Sequence, residues 1–178
     1  MYGSVNLVHF NFDRIIITNF FRSYKNSHYR LLWSANCITF SSRFFLLTLF
    51  GWYVLQETDS AWLVGFVGFC WITPLIPLGM VGGLIADSSL HKKTLCITQS
   101  VGLVCILAMT SLAITGHLEF WHTFAIMLVF GICDSLDMPS RRTIAHNLLG
   151  DDLITNGISL EIFGVAIAST IGPALAGS

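Results

Sequence analysis

Residues 82–93 read GGLIADSSLHKK. An apolar run with glycines closes on one carboxylate, Asp87, and the cations Lys92 and Lys93 follow only after it. Apolar stretches lie on both sides, at 61–86 and 94–115. At 1.5 Å per residue, each is long enough to cross ~30 Å of hydrocarbon as a helix. The quoted stretch is therefore read as a short polar connection between two membrane-spanning helices.

Working outward from it, three more apolar segments appear, at about 31–55, 119–138 and 153–178. All five are apolar nearly all round rather than striped, as expected of helices packed in lipid. Composition agrees: 54% of the 178 residues are hydrophobic and 11% are charged, with a mean hydropathy of +0.71. Soluble domains carry roughly a quarter charged residues. A water-soluble chain of this size could not hide so much apolar surface, so membrane lipid is its solvent. The fold class is all-α: a polytopic membrane protein with five transmembrane helices. The net charge of −1 indicates no nucleic-acid partner.

Cys37, Cys70, Cys96, Cys105 and Cys133 all lie in apolar runs without a C-x-x-C pair, and read as buried small hydrophobes. The histidines show no metal-ligand spacing; His117 and His122 flank Trp121 where an interfacial helix end is expected. No metal site and no cofactor are expected. No secretory signal is evident, and VHFNFDRIIITNFFRSYK (8–25) can lie along a membrane surface as an amphipathic segment. Residues 1–20 are therefore read as an N-terminal extension, and 21–178 as the membrane domain.

Lys and Arg alternate between connections. Arg22, Lys25 and Arg30 precede the first span, QETDS (56–60) has neither, Lys92 and Lys93 follow, TGHLE (115–119) has neither, and Arg141 and Arg142 close the series. The positive-inside rule places the N-terminus and the second and fourth connections in the cytoplasm, with the chain in the cell membrane. The fifth span runs to Ser178 without a hydrophilic tail, which predicts a chain cut from a longer bundle.

Asp87 at a helix C-terminus opposes the helix macrodipole, and Lys92 and Lys93 at the next N-terminus oppose it too. Such violations suggest contacts outside their own helices, and Gly79, Gly82 and Gly83 admit a close neighbour. The plainer alternative is a solvated loop. Asp134, Asp137, Arg141 and Arg142 form a second charged group around Pro139, which cannot continue a helix regularly. Asp137 and Arg141 pair at i,i+4 if the helix persists; the group is either an interfacial charge cluster or a second latch. Arg43 and Glu161 lie within spans. Intramembrane ionisable residues tend to pair, so Arg43 is expected with Glu161 first and Asp134 second, as a structural lock or a functional pair. A titrating Glu161 makes protons a candidate coupling ion. Gly164, Gly172, Pro173 and Gly177 permit close packing and a local bend. Trp52, Phe66 and Trp71 either line a substrate path or face lipid.

Gly83 to Lys93 resembles the cytoplasmic loop motif G-x-x-x-D-R-x-G-R-K/R of the major facilitator superfamily. Gly83, Asp87, His91, Lys92 and Lys93 fall in register, with Ser88 in place of Arg and Leu90 in place of Gly. FRSYKNSHYRLLW (21–33) and the D-x-P-x-R core Asp137, Pro139 and Arg141 within 131–160 resemble the superfamily's enterobactin- and macrolide-exporter branch. Gly164, Gly172, Pro173 and Gly177 resemble the fifth-helix glycine–proline motif of antiporters. The resemblance implies an N-terminal half-bundle of a secondary active exporter of small molecules, drugs or siderophores, working by alternating access. It implies that the loop carboxylate engages a helix N-terminus in a C-terminal half missing here. The alternatives are a non-transporting membrane fragment or subunit and a membrane-embedded enzyme. Against the enzyme, neither G-x-S-x-G nor H-E-x-x-H occurs, and no G-x-x-x-x-G-K-[ST] loop supplies an ATPase.

Overall fold

The computed structural model describes residues 23–79 and 91–177. The 80–90 connection, with Gly82, Gly83 and Asp87, lies outside them, as do residues 1–22 and Ser178. The described residues are helical apart from short turns, with no strand among them. A 3-10 turn, Ser23–Lys25, leads into α1 (Ser27–Thr58). Then come α2 (Ala61–Ile72, with helix resuming at 75–79), α3 (His91–Ile114), α4 (Phe120–Leu149) and α5 (Asp151–Ala176). Among the described residues, five helices are long and apolar enough to cross a membrane, α2 taken as Ala61–Gly79.

α1 starts where Asn26 caps it, its side chain accepting from the His28 and Tyr29 backbone N–H groups at 3.1 and 3.4 Å. It ends at Asp59, whose φ of 50° is the left-handed stop an Asp tolerates better than most residues. Only Asp59 and Ser60 then separate α1 from α2.

The largest departure from expectation is α4. A span ending near 138 and a basic connection up to 152 were expected from the sequence; the helix instead continues through Pro139 to Leu149. Gly150 alone separates it from α5, with a φ of 69° that favours glycine. The proline's lost backbone bond is outweighed by ties on both sides of it. Asp137 and Arg141 form the i,i+4 ion pair at 3.2 Å and both hold neighbouring helices.

α4 is the central helix, touching α1, α2, α3 and α5. Of its membrane window 44% is buried, against 17–22% for the others. One core cluster joins Phe50 and Val54 of α1, Val67 and Cys70 of α2, Met109 of α3, and Met127 and Phe130 of α4. The outward faces carry exposed Leu31, Trp62, Ile76 and Ile114, a surface suited to lipid rather than water. Cys96 also lies exposed, unlike buried Cys70 and Cys133, which corrects the expectation of five buried thiols.

α5 packs along α1 through small residues four apart, Gly164, Ala168 and Gly172, all buried. A Cβ on Gly164 would lie 2.8 Å from Cys37 Sγ, and one on Gly172 would lie 2.8 Å from the Ser41 carbonyl oxygen. Gly177 differs from Gly164 and Gly172: it caps α5, and among the described residues an added Cβ would meet only the Pro173 carbonyl of its own helix. Gly79 has open space beside it, so no close neighbour uses it among the described residues.

Candidate functional site

Asp134, Asp137 and Arg141 follow i, i+3, i+7 spacing, so they share one face of α4. Asn36 and Arg43 are spaced by seven on α1 and meet that face. Two polar rungs result. In the deeper one, Arg43 Nη2 lies 3.3 Å from Asp134 Oδ1, and the other carboxylate oxygen accepts from Trp71 Nε1 at 2.7 Å. The Arg43 guanidinium also lies over the Phe130 ring, 4.1 Å from its centroid. Gly102 of α3 makes room, since a Cβ there would sit 3.3 Å from the Phe130 ring. Arg43 Nε is buried without a hydrogen-bond partner among the described residues.

In the second rung, Asp137 accepts from Thr98 Oγ1, from Gln99 Nε2 at 2.9 Å and from Arg141 Nη2 at 3.2 Å. Arg141 Nη1 donates to Asn36 Oδ1. Two carboxylates face two guanidiniums, so the network is formally neutral. Buried charges of this kind persist only when paired and hydrogen-bonded.

The pairing of Arg43 corrects the sequence expectation, which set Glu161 first. Depth explains it. Arg43 lies 16 residues past Ser27, and Asp134 lies 16 before Gly150, so both sit ~24 Å from the end of the bundle where Gly150 lies. Glu161 is 10 residues past Asp151, only ~15 Å in. Ending the fourth span near 138 puts Asp134 at the interface; the longer α4 sinks it to the level of Arg43. For the same reason Asp134, Asp137 and Arg141 lie within α4 rather than in a connection after it. Arg142 alone of that group is exposed.

A cavity of about 310 Å³ opens beside the network, between α1, α2, α4 and α5. Phe40, Phe44, Trp71, Met138 and Val165 wall it, and Asp134, Asp137 and Arg141 form its polar side. Of the three aromatics proposed from sequence, only Trp71 lines it. Trp52 is exposed at another groove, and Phe66 packs edge-on to Phe124 with centroids 5.1 Å apart. Glu161 lines a separate cavity with Arg142 and His146. Lys92 and Lys93 are exposed in the first turn of α3, while His91 Nδ1 is buried without a partner among the described residues.

Asn36, Thr98, Gln99, Phe40 and Phe44 escaped the sequence reading. The available signal was polarity inside apolar runs: Asn36 in the first and Thr98–Gln99 in the third.

The segment before and into α1 has a defined task. Ser23 Oγ donates to the Leu153 carbonyl at 3.0 Å, and Asn26 Nδ2 to that of Leu148 at 3.0 Å. Tyr29 Oη donates to the Gly157 carbonyl and Trp33 Nε1 to that of Leu160, each at 2.8 Å. These four bonds stitch the start of α1 to the α4–α5 junction.

The profile of the transmembrane secretion effector family, within the major facilitator superfamily, matches residues 18–178. The chain belongs to this family. Its members are transporters, not enzymes. A curated relative, the staphyloferrin A transporter of Staphylococcus aureus (strain NCTC 8325 / PS 47), is 28% identical over 135 residues. That match covers 71% of this chain and 32% of the relative, so the chain spans about a third of that transporter's length. No solved structure matches the chain. The family match covers both polar rungs, the 310 Å³ cavity and the α1–α5 seam.

Proposed function

We propose that the chain forms part of a secondary active exporter of small organic molecules working by alternating access. The observation that carries the reading is the neutral charged network joining α1, α2, α3 and α4 beside an apolar, aromatic-walled cavity. Alternating access needs packed elements with two discrete arrangements. A network with no net charge can exchange partners without stranding an excess charge in the membrane. The wall of Phe40, Phe44 and Trp71 favours an amphipathic guest. A siderophore is the second substrate reading, favoured by the relative named for staphyloferrin A. Further membrane helices, from a C-terminal half, would complete the path. Gly83, Asp87, His91, Lys92 and Lys93 would form a loop latch, and Glu161 a candidate site for a coupling proton.

Ethidium, a planar lipophilic cation, tests the reading. Cells carrying the gene in its native reading frame should accumulate less dye than cells lacking it. Asp137→Asn should cut that export about tenfold, the change expected from ~1.4 kcal/mol in a two-state balance. Equal accumulation with and without the gene would remove amphipathic export from consideration.

We also place the N-terminus, His91 and Gly150 on the cytoplasmic side, and Asp59 and Glu119 outside, in the cell membrane. The support is the alternation of Lys and Arg between helix ends. On a background with the five native cysteines replaced, Asp59→Cys should react with an impermeant maleimide added to whole cells, and Leu90→Cys should not. The reverse pattern would invert the topology.

A further inference from the structure

A further cavity, of about 240 Å³, opens between α1 and α3 over Phe130 of α4. Its lining shares Thr39, and no other residue, with the cavity walled by Phe40, Phe44 and Trp71. Its polar lining is Thr39, Ser42, Arg43 and Gln99, with no carboxylate. Gly102 shows that the guanidinium faces it. That glycine lines the cavity, and a Cβ there would lie 3.9 Å from both Nη1 and Nη2 of Arg43. Among the described residues Nη2 meets Asp134, while Nε and Nη1 have no hydrogen-bond acceptor. A guanidinium only 7% exposed, with donors left over, calls for a further acceptor.

Charge narrows the ligand. Arg43 and Arg141 already balance Asp134 and Asp137. A carboxylate would therefore add an unpaired charge to the interior, and an ammonium would face Arg43. Hydrogen bonding narrows it further. Thr39 and Ser42 donate their hydroxyl hydrogens to the Ala35 and Ile38 carbonyls of their own helix, at 2.9 and 3.0 Å. Toward the cavity their oxygens are left as acceptors. The cavity thus offers a cationic donor and neutral acceptors, the complement of a hydroxyl group. The rest of its wall is apolar, with Ile38 68% and Leu103 59% exposed. Arg43 lies 16 residues past Ser27 and 15 before Thr58, midway along a helix long and apolar enough to span a membrane. A ligand reaching that level does so through hydrocarbon. We propose that this cavity binds a neutral lipophilic alcohol. Its oxygen accepts from Arg43, its hydrogen is donated to Thr39 or Ser42, and its apolar body lies against Leu103 and Ile106.

Photolabelling of the purified protein with a diazirine-bearing octanol, mapped by peptide mass spectrometry, tests the site. Label should fall within 38–46 of α1 and 99–106 of α3. At equal micellar concentration, 1-octanol should protect those segments about fivefold better than octyl methyl ether, the scale of one neutral hydrogen bond. The ether accepts but has no hydrogen to donate. Octanoate should protect no better than the ether. Thr39→Ala/Ser42→Ala should erase the preference for alcohol over ether. Gly102→Ala, whose new methyl takes the space beside the guanidinium, should lower labelling about tenfold. Circular dichroism checks that both variants fold; if one does not, the other and the parent's alcohol–ether comparison still decide. Equal protection by alcohol and ether, unchanged labelling of folded Gly102→Ala, or label on Phe40, Phe44 and Trp71 instead would overturn the site. Stronger protection by octanoate than by octanol would overturn a neutral ligand and make the cavity an anion site.

Discussion

Asp134→Leu should lower the unfolding free energy of the bundle by about 3–5 kcal/mol, the cost of leaving a buried guanidinium without its counter-charge. Arg43 is 7% exposed, its Nη2 faces Asp134 at 3.3 Å, and its Nε already lacks a partner among the described residues. It has little in reserve. The Phe130 ring beneath it supplies about 2 kcal/mol of cation–π attraction, less than the cost of the lost counter-charge. The same substitution also strips Trp71 Nε1 of its acceptor. The double variant Arg43→Met/Asp134→Leu removes both charges together and should recover most of the loss, because an apolar pair of similar volume often replaces a buried ion pair at little cost. Reversible unfolding in mixed micelles, followed by circular dichroism, measures both. If the single variant is no less stable than the double, water or lipid solvates Arg43 and the pair does not hold α1 to α4.

That pair also shows where sequence reading stopped. Five apolar runs identified five spans, because hydrocarbon thickness sets a minimum helix length that short runs cannot meet. The end of α4 was not legible, because Pro139 carries a strong local stop signal. What overrides it is tertiary: Thr98 and Gln99, about 40 positions away in sequence, hold Asp137, and Asn36, more than 100 away, holds Arg141. No local rule sees those partners. Misplacing that end by one segment moved Asp134 from the level of Arg43 to the interface, and so favoured Glu161 as the partner. Charge inside apolar runs named the candidates; the level of Asp134 relative to Arg43 needed the course of α4.

The glycines carry the same lesson in steric form. Gly131 drew no attention in the sequence, yet an added Cβ there would run into the Trp71 carbonyl oxygen and sit 3.0 Å from the Pro74 ring. A Cβ on Gly172 would lie 2.8 Å from the Ser41 oxygen and 2.9 Å from the Phe45 nitrogen. Backbone atoms cannot rotate aside, so α2 must move off α4, or α5 off α1. Gly131→Ala and Gly172→Ala should each destabilise the bundle by about 2–3 kcal/mol, toward the upper end of the usual overpacking cost. Among the described residues, nothing lies within 4 Å of the same added atom on Gly65 or Gly68 of α2. At those two positions alanine should leave stability unchanged or raise it by up to about 1 kcal/mol, the ordinary helix-propensity difference. The four single variants, unfolded side by side in one micelle system, separate contact from propensity. Were all four to shift stability alike, close backbone approach at Gly131 and Gly172 would not be what holds these helix pairs, and the α1–α5 seam would rest on the hydrogen bonds from Tyr29 and Trp33 instead.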